Sequence, residues 1–423
     1  MSYIEFVHPG YTPSKNDLVC LFRITPAKGI SMREAAGRVA SESSNGTWTD
    51  VSLHNTRIVR LGAKAFETKG DFVKIAYPVG LFEKNNMPQI LSSIAGNVFG
   101  MKAVDGLRLE DVSWPKKILK SFRGPQFGIR GIRKIFRVYD RPLTATVPKP
   151  KVGMTSGEHA RTGYEAWMGG LDLLKDDENL SSQNFNKFER RVEKSFRMRD
   201  LAEKKTGGIK SYLVNVSAET KEMIRRARFV KKHGGEYVMV DAITAGWSAV
   251  QTLRDECEDL GLAIHMHRAM HAAMDRNPLH GISMLTLSTI SRLVGVDQLH
   301  IGTVVGKLVS PKDEVLNLQD KLVNKKSKKV LGQNWENLKS VLPVSSGGLH
   351  PGLIPDVMKI MGRDIVIQAG GGIHGHPDGT RAGATALLQA IEAVMENVSL
   401  SHYSKNHAEL RKALEHWGHV KPV

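Results

Sequence analysis

Short apolar runs recur along the chain from residue 143 onwards, and each is followed by a segment with the apolar spacing of an amphipathic helix. Eight runs are typical of strands: LTATV at 143, GGLDLL at 169, SYLVNV at 211, YVMVDAI at 237, LAIHMH at 262, QLHIGT at 298, VLPVSS at 341 and IVIQAG at 365. Eight strand–helix units over about 260 residues match the usual size of a (β/α)₈ barrel. An open doubly wound sheet remains possible, because periodicity cannot show closure.

Polar residues at the carboxyl ends of these strands favour the barrel, since such barrels gather catalytic groups from several strands on that face. The residues are Lys149, Lys151, Lys175, Asp177, Glu178, His267, Arg268, His300, Ser346, Gly347, Gly348, Gly370 and Gly371. We therefore predict an α/β chain whose residues 138–423 form a (β/α)₈ TIM barrel with short C-terminal helices.

The first 137 residues mix strand-like runs with two helical segments and predict a smaller α+β domain. One helix is expected to open at Ser31, with capping-box spacing to Glu34, and the other to follow Pro88. The basic, glycine-containing stretch SFRGPQFGIRGIRK then leads to the barrel, and we place the domain boundary near residue 138.

The net charge raises the question of a polyanionic partner such as nucleic acid, because the 423 residues carry a net charge of +17 and a pI near 9.7. The basic residues are not interleaved with aromatic ones as a base-stacking surface requires, so we expect no nucleic acid partner. A positive field would also draw small phosphorylated substrates. Two cysteines, no signal-like amino terminus and no run of about 18 apolar residues predict a cytoplasmic protein without membrane attachment.

The segment GGLDLLKDDEN carries the strongest chemical signal. Asp177 and Glu178 are oxygen ligands of the kind that Mg²⁺ prefers, but a cationic Lys175 beside them would repel a metal. Reaction of the neutral lysine amine with CO₂ would give a carbamate, which is an anion and a third oxygen ligand. A simple Lys/Asp ion pair is the alternative.

Other strand-end motifs supply candidate acid–base and anion-binding groups. Strand alternation would send Lys149 and Lys151 to one side, where crowding by a metal could leave one as a neutral base. HMHRAMH offers His267 and a phosphate-binding Arg268, with core histidines that hydrogen-bond favoured over a zinc half-site.

Two glycine-rich loops, SSGG at 345 and QAGGG at 368, follow the seventh and eighth strands, where barrels often bind phosphate. GTVVGKL at 302 would be a mobile lid that carries Lys307, or else an ordinary loop. In the first domain, ESSNGTWT at 42 and GNVFG at 96 are taken by themselves as capping and turn chemistry.

Together these motifs resemble the large subunit of ribulose-1,5-bisphosphate carboxylase/oxygenase, RuBisCO. The resemblance runs through ESSNGTWT, GNVFG, KPKVG, GGLDLLKDDEN, HMHRAMH, LHIGTVVGKL, SSGGLH and GGGIHGHP, which is nearly the whole chain. The TVPKPKVG form, the modest length and the short tail are most similar to archaeal form III, which is associated with nucleotide salvage.

The resemblance implies a carboxylase with oxygenase side activity. Lys175 would be the carbamylated lysine that holds Mg²⁺ with Asp177 and Glu178, and Lys149 would remove the C3 proton of ribulose 1,5-bisphosphate. Lys151, His267 and Lys307 would position the substrate and neutralise charge while CO₂ or O₂ reacts.

The resemblance also implies how the two phosphates and the partner subunit contribute. Arg268, His300 and Ser346 would grip one phosphate; the other would be gripped by Thr47, Trp48, Gly348, Gly370 and Gly371, with Gly347 in the same loop. Glu42, Thr47, Trp48 and Asn97 would reach the site of a neighbouring subunit, which predicts a homodimer or an oligomer of dimers, with no small subunit.

Two rival functions stay open at this point. A RuBisCO-like enolase or isomerase acting on another phosphorylated sugar would usually lack the lid lysine or the Glu42 and Asn97 pair. The second rival is a basic nucleic-acid-binding protein, which would not explain why polar residues recur at the carboxyl ends of the strands.

Overall fold

The computed structural model describes residues 3–49, 53, 55–306 and 311–420. Contacts within the chain divide it into two compact units. The first comprises Met1–Gly124, Met270–Val294 and Asn324–Leu338, and the second comprises Pro125–Ala269, Gly295–Val323 and Lys339–Val423. The domain boundary near residue 138 stays a prediction.

The first unit contains a five-stranded sheet, which agrees with the expected α+β class. Its strands, in spatial order, are Gly281–Ile282, Val104–Ser113, Asp17–Pro26, Phe72–Pro78 and Lys64–Lys69. Neighbouring strands are antiparallel except for the parallel edge pair at Gly281–Ile282. Alternate residues of Asp17–Pro26 are fully buried, so one face of the sheet packs against the core.

Helices of the first unit include both predicted ones. Ser31 caps Met32–Glu42 by accepting a hydrogen bond from the Glu34 amide, and Pro88 stands in the first turn of Met87–Ile94. The others are Thr56–Leu61, Lys116–Leu119, His271–Asp275 and Met284–Val294, with 3₁₀ turns at Tyr3–Phe6, Val79–Leu81 and Asn97–Gly100 and a small strand pair, Lys326–Ser327 with Gln333–Asn334.

The second unit is a closed barrel of eight parallel strands, and all eight predicted strands are confirmed. In chain order they are Leu143–Thr146, Leu173–Lys175, Ser211–Asn215, Tyr237–Asp241, Ala263–His267, Gln298–His300, Leu342–Ser346 and Val366–Ala369. The strands are almost continuously buried, as strands of a parallel barrel are when helices cover them outside and side chains fill them inside. The doubly wound alternative is therefore wrong.

Helices of this unit follow every strand except the fifth, after which the next two helices belong to the first unit. The helices of the second unit are Gly128–Phe136, Ser156–Met168, Phe188–Thr206, Thr220–Lys232, Ala242–Ala245, Trp247–Leu260, Lys312–Val323, Ile354–Met361, Gly371–His374, Gly379–Met395, Leu400–Tyr403 and Ala408–Trp417, with 3₁₀ turns at Pro351–Leu353 and Ser404–Asn406. Thr155 and Glu158 form a complete capping box at the start of Ser156–Met168. Within the described residues, no helix is both long and apolar enough to cross a membrane.

One end of the barrel is filled with apolar side chains. Ile129, Ile132 and Phe136 of the helix before the first strand pack with residues that begin several strands, among them Leu143 and Tyr237. This cluster closes the amino end of the barrel, so the carboxyl end is left for polar groups.

Candidate active site

A cavity of about 590 Å³ opens at the carboxyl ends of the barrel strands. It brings together most of the residues predicted from the strand-end pattern: Lys149, Lys151, Lys175, Asp177, Glu178, His267, His300, Ser346, Gly347, Gly348, Gly370 and Gly371. Gln368, His350 and Trp417 also line it; the first two belong to the QAGGG and SSGGLH motifs, but no role was predicted for any of the three. The cavity lies entirely within the second unit.

Lys175 is fully buried at the end of the second strand, with its Nζ 2.9 Å from the carbonyl oxygen of Asp176 and 3.8 Å from Oε2 of Glu178. Burial lowers the pKa of the Lys175 ammonium, and this outweighs the opposite effect of the surrounding carboxylates. The uncharged amine is the form that can react with CO₂. The simple ion-pair alternative is weakened, because the environment works against the charged lysine.

The next residue, Asp176, follows the end of the second strand, and its side chain is buried against Arg191, Tyr212 and His159 instead of lining the cavity. Its buried carboxylate accepts hydrogen bonds from the Tyr212 hydroxyl at 2.5 Å, the Asn215 amide at 3.0 Å and Nε of Arg191 at 3.3 Å. Burial alone would raise the pKa of Asp176, but Arg191 and the other donors bring it down to about 2. This ionised anchor holds the backbone between Lys175 and Asp177 in place.

Arg191 extends that anchor to the loop behind the strand. It donates to the carbonyl oxygens of Ser181 at 2.8 Å and Asn186 at 3.2 Å, and none of its surface is exposed. Neither Asp176 nor Arg191 was predicted from the sequence. The run of three acidic residues after Lys175 was the available signal for the first, whereas nothing local marks the second.

Lys149 and Lys151 line the cavity as well. Lys149 Nζ lies 3.2 Å from Oδ2 of Asp177. The predicted cause is wrong, because the first strand ends at Thr146 and the two lysines lie in the following loop, where the Lys149–Pro150 peptide is cis. The loop, rather than strand alternation, directs both side chains to the cavity.

His267 is held between two carboxylates. Its Nδ1 lies 3.1 Å from Oδ1 of Asp241, and its Nε2 lies 3.6 Å from Oε2 of Glu178. Burial lowers the pKa of His267 to about 3, so the imidazole is neutral. Burial raises the pKa of Asp241 to about 6, and this residue too was missed from the sequence.

The glycine-rich loops form the other end of the cavity. His300 Nδ1 lies 2.7 Å from Oγ of Ser346, and Gly347 follows with a φ of +115° that L side chains rarely adopt. A Cβ on Gly370 would lie 3.0 Å from Cε of Lys149, so a larger residue would press on that lysine. Backbone N–H groups can therefore approach an anion closely here.

Five predicted residues do not line this cavity, and Lys307 lies outside the described residues. Arg268 is buried just after the fifth strand. The four candidates for a neighbouring site, Glu42, Thr47, Trp48 and Asn97, belong to the first unit. Trp48 is 85% exposed, and the helix that ends at Glu42 contacts the turn that begins at Asn97.

The carboxylates at this site can hold a divalent cation only if a further oxygen ligand is supplied. Among the described residues, no group of three or more His, Cys, Asp or Glu side chains is arranged to hold a metal. Asp177 and Glu178 provide two carboxylates, and a carbamate on the nearby Lys175 would provide the missing anionic oxygen. The residues present thus fit Mg²⁺ under that condition.

Comparison with known families accounts for both units. Residues 128–417 match the ribulose bisphosphate carboxylase large chain catalytic domain, and residues 5–118 match the N-terminal domain of the same chain. The chain belongs to this family. RuBisCO membership was predicted from the ordered motifs and is confirmed.

The similarity to individual relatives covers nearly the full length of this chain and of theirs. The chain is 50% identical to the ribulose bisphosphate carboxylase of Pyrococcus furiosus over 99% of both chains, and 50% identical to that of Methanosarcina mazei over 98% of this chain and 99% of the relative. Among solved structures it is similar to the dimeric archaeal Rubisco of Hyperthermus butylicus (TM-score 0.95, 47% identity, 99% and 100% of the two chains). The octameric enzyme of Pyrococcus horikoshii, in complex with sulfate, has a TM-score of 0.94 at 50% identity, covering 100% and 98%.

Proposed function

We propose that this protein is a ribulose-1,5-bisphosphate carboxylase that works after carbamylation of Lys175. The observation that carries the proposal is a single cavity in which a buried lysine with a lowered pKa faces two carboxylates, two further lysines and the glycine loops. Family membership and the full-length similarity to named carboxylases support the same activity.

Activation would begin at the Lys175 amine. Its nitrogen attacks CO₂, a C–N bond forms and one amine proton is released, which leaves an anionic carbamate. Asp177, Glu178 and this carbamate would hold Mg²⁺, which supplies Lewis acidity toward a substrate oxygen. The Asp176 anchor keeps Lys175 and Asp177 oriented toward the cavity.

Lys149 is then the candidate general base for the C3 proton of ribulose 1,5-bisphosphate. Its Nζ already contacts Asp177, which places it beside the acidic wall. Loss of the proton gives an enediolate, whose C2 attacks CO₂. Hydration at C3 and cleavage of the C2–C3 bond then give two 3-phosphoglycerate molecules.

Other residues would bind the substrate and balance charge. Lys151 and the neutral His267 line the reaction cavity, and Lys307 would close over it from the loop after the sixth strand. His300, Ser346 and Arg268 would hold one phosphate, and Gly347, Gly348, Gly370 and Gly371 would form the cradle for the other. Oxygenase side activity would follow from attack of the same enediolate on O₂.

Completion of the site by a second copy is part of the proposal. Glu42, Thr47, Trp48 and Asn97 would reach the partner's cavity, so we propose a homodimer or a larger assembly of dimers that functions without a small subunit. A form III role in nucleotide salvage is proposed on resemblance alone. The rival RuBisCO-like isomerase is disfavoured because Lys307, Glu42 and Asn97 are all present in the sequence.

The test is incorporation of ¹⁴C from bicarbonate into acid-stable product, with Mg²⁺ and ribulose bisphosphate, after preincubation with CO₂ and Mg²⁺. Wild type should incorporate label and Lys175→Met should not. Lys210→Met is the matched control, because Lys210 is also a buried lysine but precedes the third strand at the opposite end of the barrel. Absence of label in folded wild type, with C3 proton exchange retained, would favour the isomerase instead.

A further inference from the structure

A chain of hydrogen bonds runs through the barrel interior and ends at the cavity. It links Tyr237 to Gln298 at 3.1 Å, Gln298 to His265 at 2.8 Å, His265 to His300 at 2.9 Å and His300 to Ser346 at 2.7 Å. Tyr237 and Gln298 begin the fourth and sixth strands, whereas His300 and Ser346 end the sixth and seventh. The chain therefore connects the apolar end of the barrel with the catalytic end.

Its inner members are completely buried. Tyr237, Gln298 and His265 have no exposed surface, and Tyr237 belongs to the apolar cluster that closes the barrel. Polar groups in such a place are costly unless their hydrogen bonds are satisfied. Strand register explains how they meet, because Gln298 lies directly opposite His265 in the pairing of the fifth and sixth strands.

Both imidazoles in the chain are neutral, since burial lowers the pKa of His265 and of His300 well below the ordinary value. Each ring then carries one N–H, and the two Nε2 atoms face each other, so one ring donates and the other accepts. The whole chain consequently has two possible directions.

In the outward direction, Tyr237 donates to the Gln298 amide oxygen, Gln298 donates to His265 Nδ1 and His265 Nε2–H donates to His300 Nε2. His300 Nδ1–H then donates to Ser346, whose hydroxyl proton is free for a ligand in the cavity. In the inward direction, Ser346 donates its hydroxyl hydrogen bond to His300 and each later bond reverses, so that His265 Nδ1–H donates to the Gln298 amide oxygen and Gln298 Nε2–H donates to the Tyr237 hydroxyl. The Gln298 amide has this inward orientation in the structure, which holds no anion. A half-turn of the Gln298 amide converts one arrangement into the other, because its oxygen and nitrogen have nearly the same shape.

Two features favour the outward direction when an anion is bound. Within the described part of the chain, Gln298 is the one hydrogen-bond partner of the buried Tyr237 hydroxyl, so the inward direction leaves its O–H without an acceptor. A phosphate group accepts hydrogen bonds, and only the outward direction lets Ser346 donate to it.

We propose that Tyr237, Gln298 and His265 are positioning residues that fix the direction of this chain, so that Ser346 presents its hydroxyl proton to a substrate phosphate. The proposal rests on the proposed function in one respect, namely the assignment of the His300 and Ser346 end of the cavity to a phosphate. It adds a role for three buried residues that do not touch the substrate.

Gln298→Glu is the decisive variant, because a carboxylate only accepts hydrogen bonds. It would accept from both Tyr237 and His265 Nδ1–H, which fixes His265 in the opposite tautomer and forces Ser346 to donate inward. We expect the dissociation constant for inorganic phosphate and the KM for ribulose bisphosphate to rise at least tenfold at pH 8, with kcat changed less, since a hydrogen bond to a charged group is lost.

Two controls separate direction from packing. Gln298→Met keeps the volume without imposing the inward direction, and Tyr77→Phe removes a buried hydroxyl from the first unit. Tyr77→Phe should stay within about threefold of wild type in phosphate affinity, whereas Gln298→Met, which leaves the direction unfixed, should fall between wild type and Gln298→Glu. If Gln298→Glu binds phosphate as tightly as Gln298→Met, the proposal is overturned.

A measurement on wild type keeps the test valid even if Gln298→Glu does not fold. ¹⁵N NMR of labelled histidines, with inorganic phosphate bound, should show Nδ1–H on His300 and Nε2–H on His265. The reverse pair of tautomers would refute the proposal. Failure of CO₂ fixation would instead count against the proposed function, because phosphate binding and tautomers are read without turnover.

Discussion

Replacement of Arg191 by methionine should destabilise the barrel strongly, because it removes the charged partner of the buried Asp176 carboxylate. The two side chains approach to 3.2 Å and neither is exposed. Methionine nearly preserves the apolar volume of the arginine stem, so the loss reports mainly on the ion pair and on the bonds to Ser181 and Asn186.

The magnitude can be worked out in two ways. A fall in the pKa of Asp176 from 3.8 to about 2 corresponds to about 2.5 kcal/mol of stability, which is the net of its partners' effect and the opposing effect of burial. Removal of one member of a buried pair typically costs about 3–5 kcal/mol, because the other charge is left in a poor environment. We take the larger range for Arg191→Met, since the first figure is already reduced by burial, which would act unopposed by Arg191 in the variant.

The dependence on pH has a definite sign. The folded-state pKa of Asp176 is depressed, so its stabilising contribution is present above about pH 4 and is lost as the pH falls toward 2. In Arg191→Met the pKa of Asp176 rises, and its ionised carboxylate no longer contributes to stability. The difference in unfolding free energy between wild type and Arg191→Met should therefore narrow as the pH is lowered from about 5 to 3.

Urea unfolding at fixed protein concentration measures both effects. Arg225→Met is the matched control, because Arg225 pairs with Glu222 and Glu189 on the barrel surface and should cost no more than about 1 kcal/mol. A double variant with Asp176→Asn should lose less than the sum of the single changes. If Arg191→Met is no more destabilising than Arg225→Met, the anchor does not have the energetic role assigned to it.

Two further predictions concern packing at either end of the barrel. Gly370→Ala should lower kcat at least tenfold, because the new methyl group presses on Lys149 Cε. The free energy of unfolding should change by no more than about 1 kcal/mol. ¹⁴C incorporation measures the first effect and urea unfolding the second, and an unchanged kcat would contradict the prediction. Phe136→Ala should cost about 3–5 kcal/mol in urea unfolding, because Phe136 is buried in the cluster that closes the amino end. The control Phe185→Ala, at a side chain that is 41% exposed, should cost far less, and equal costs would argue against that cluster as a core.

Much of the barrel was predictable because its signal is local. Apolar runs separated by amphipathic segments marked each strand, and polar residues after the runs marked the catalytic face. The grouping of Met270–Val294 and Asn324–Leu338 with the first unit has no such signal, because it depends on contacts between segments far apart in sequence.

The site was predictable to the extent that its residues stand at strand ends. Lys175, Asp177 and His267 follow directly from that position, and the expectation that core histidines hydrogen-bond is confirmed at His265. Arg191 was not predictable, since it reaches Asp176 from the first turn of the helix Phe188–Thr206 and no sequence pattern distinguishes it. For Lys149 the location was right although the stated cause was not, because loops can bend in ways that strand periodicity does not describe.

The central claim is that Lys175 takes up CO₂ on its neutral amine, and ¹³C NMR of the protein equilibrated with ¹³CO₂ and Mg²⁺ tests it most directly. We predict a carbamate resonance in wild type and in Lys210→Met that is absent from Lys175→Met. A catalytically active wild type without that resonance, or a resonance that persists in Lys175→Met, would contradict the account.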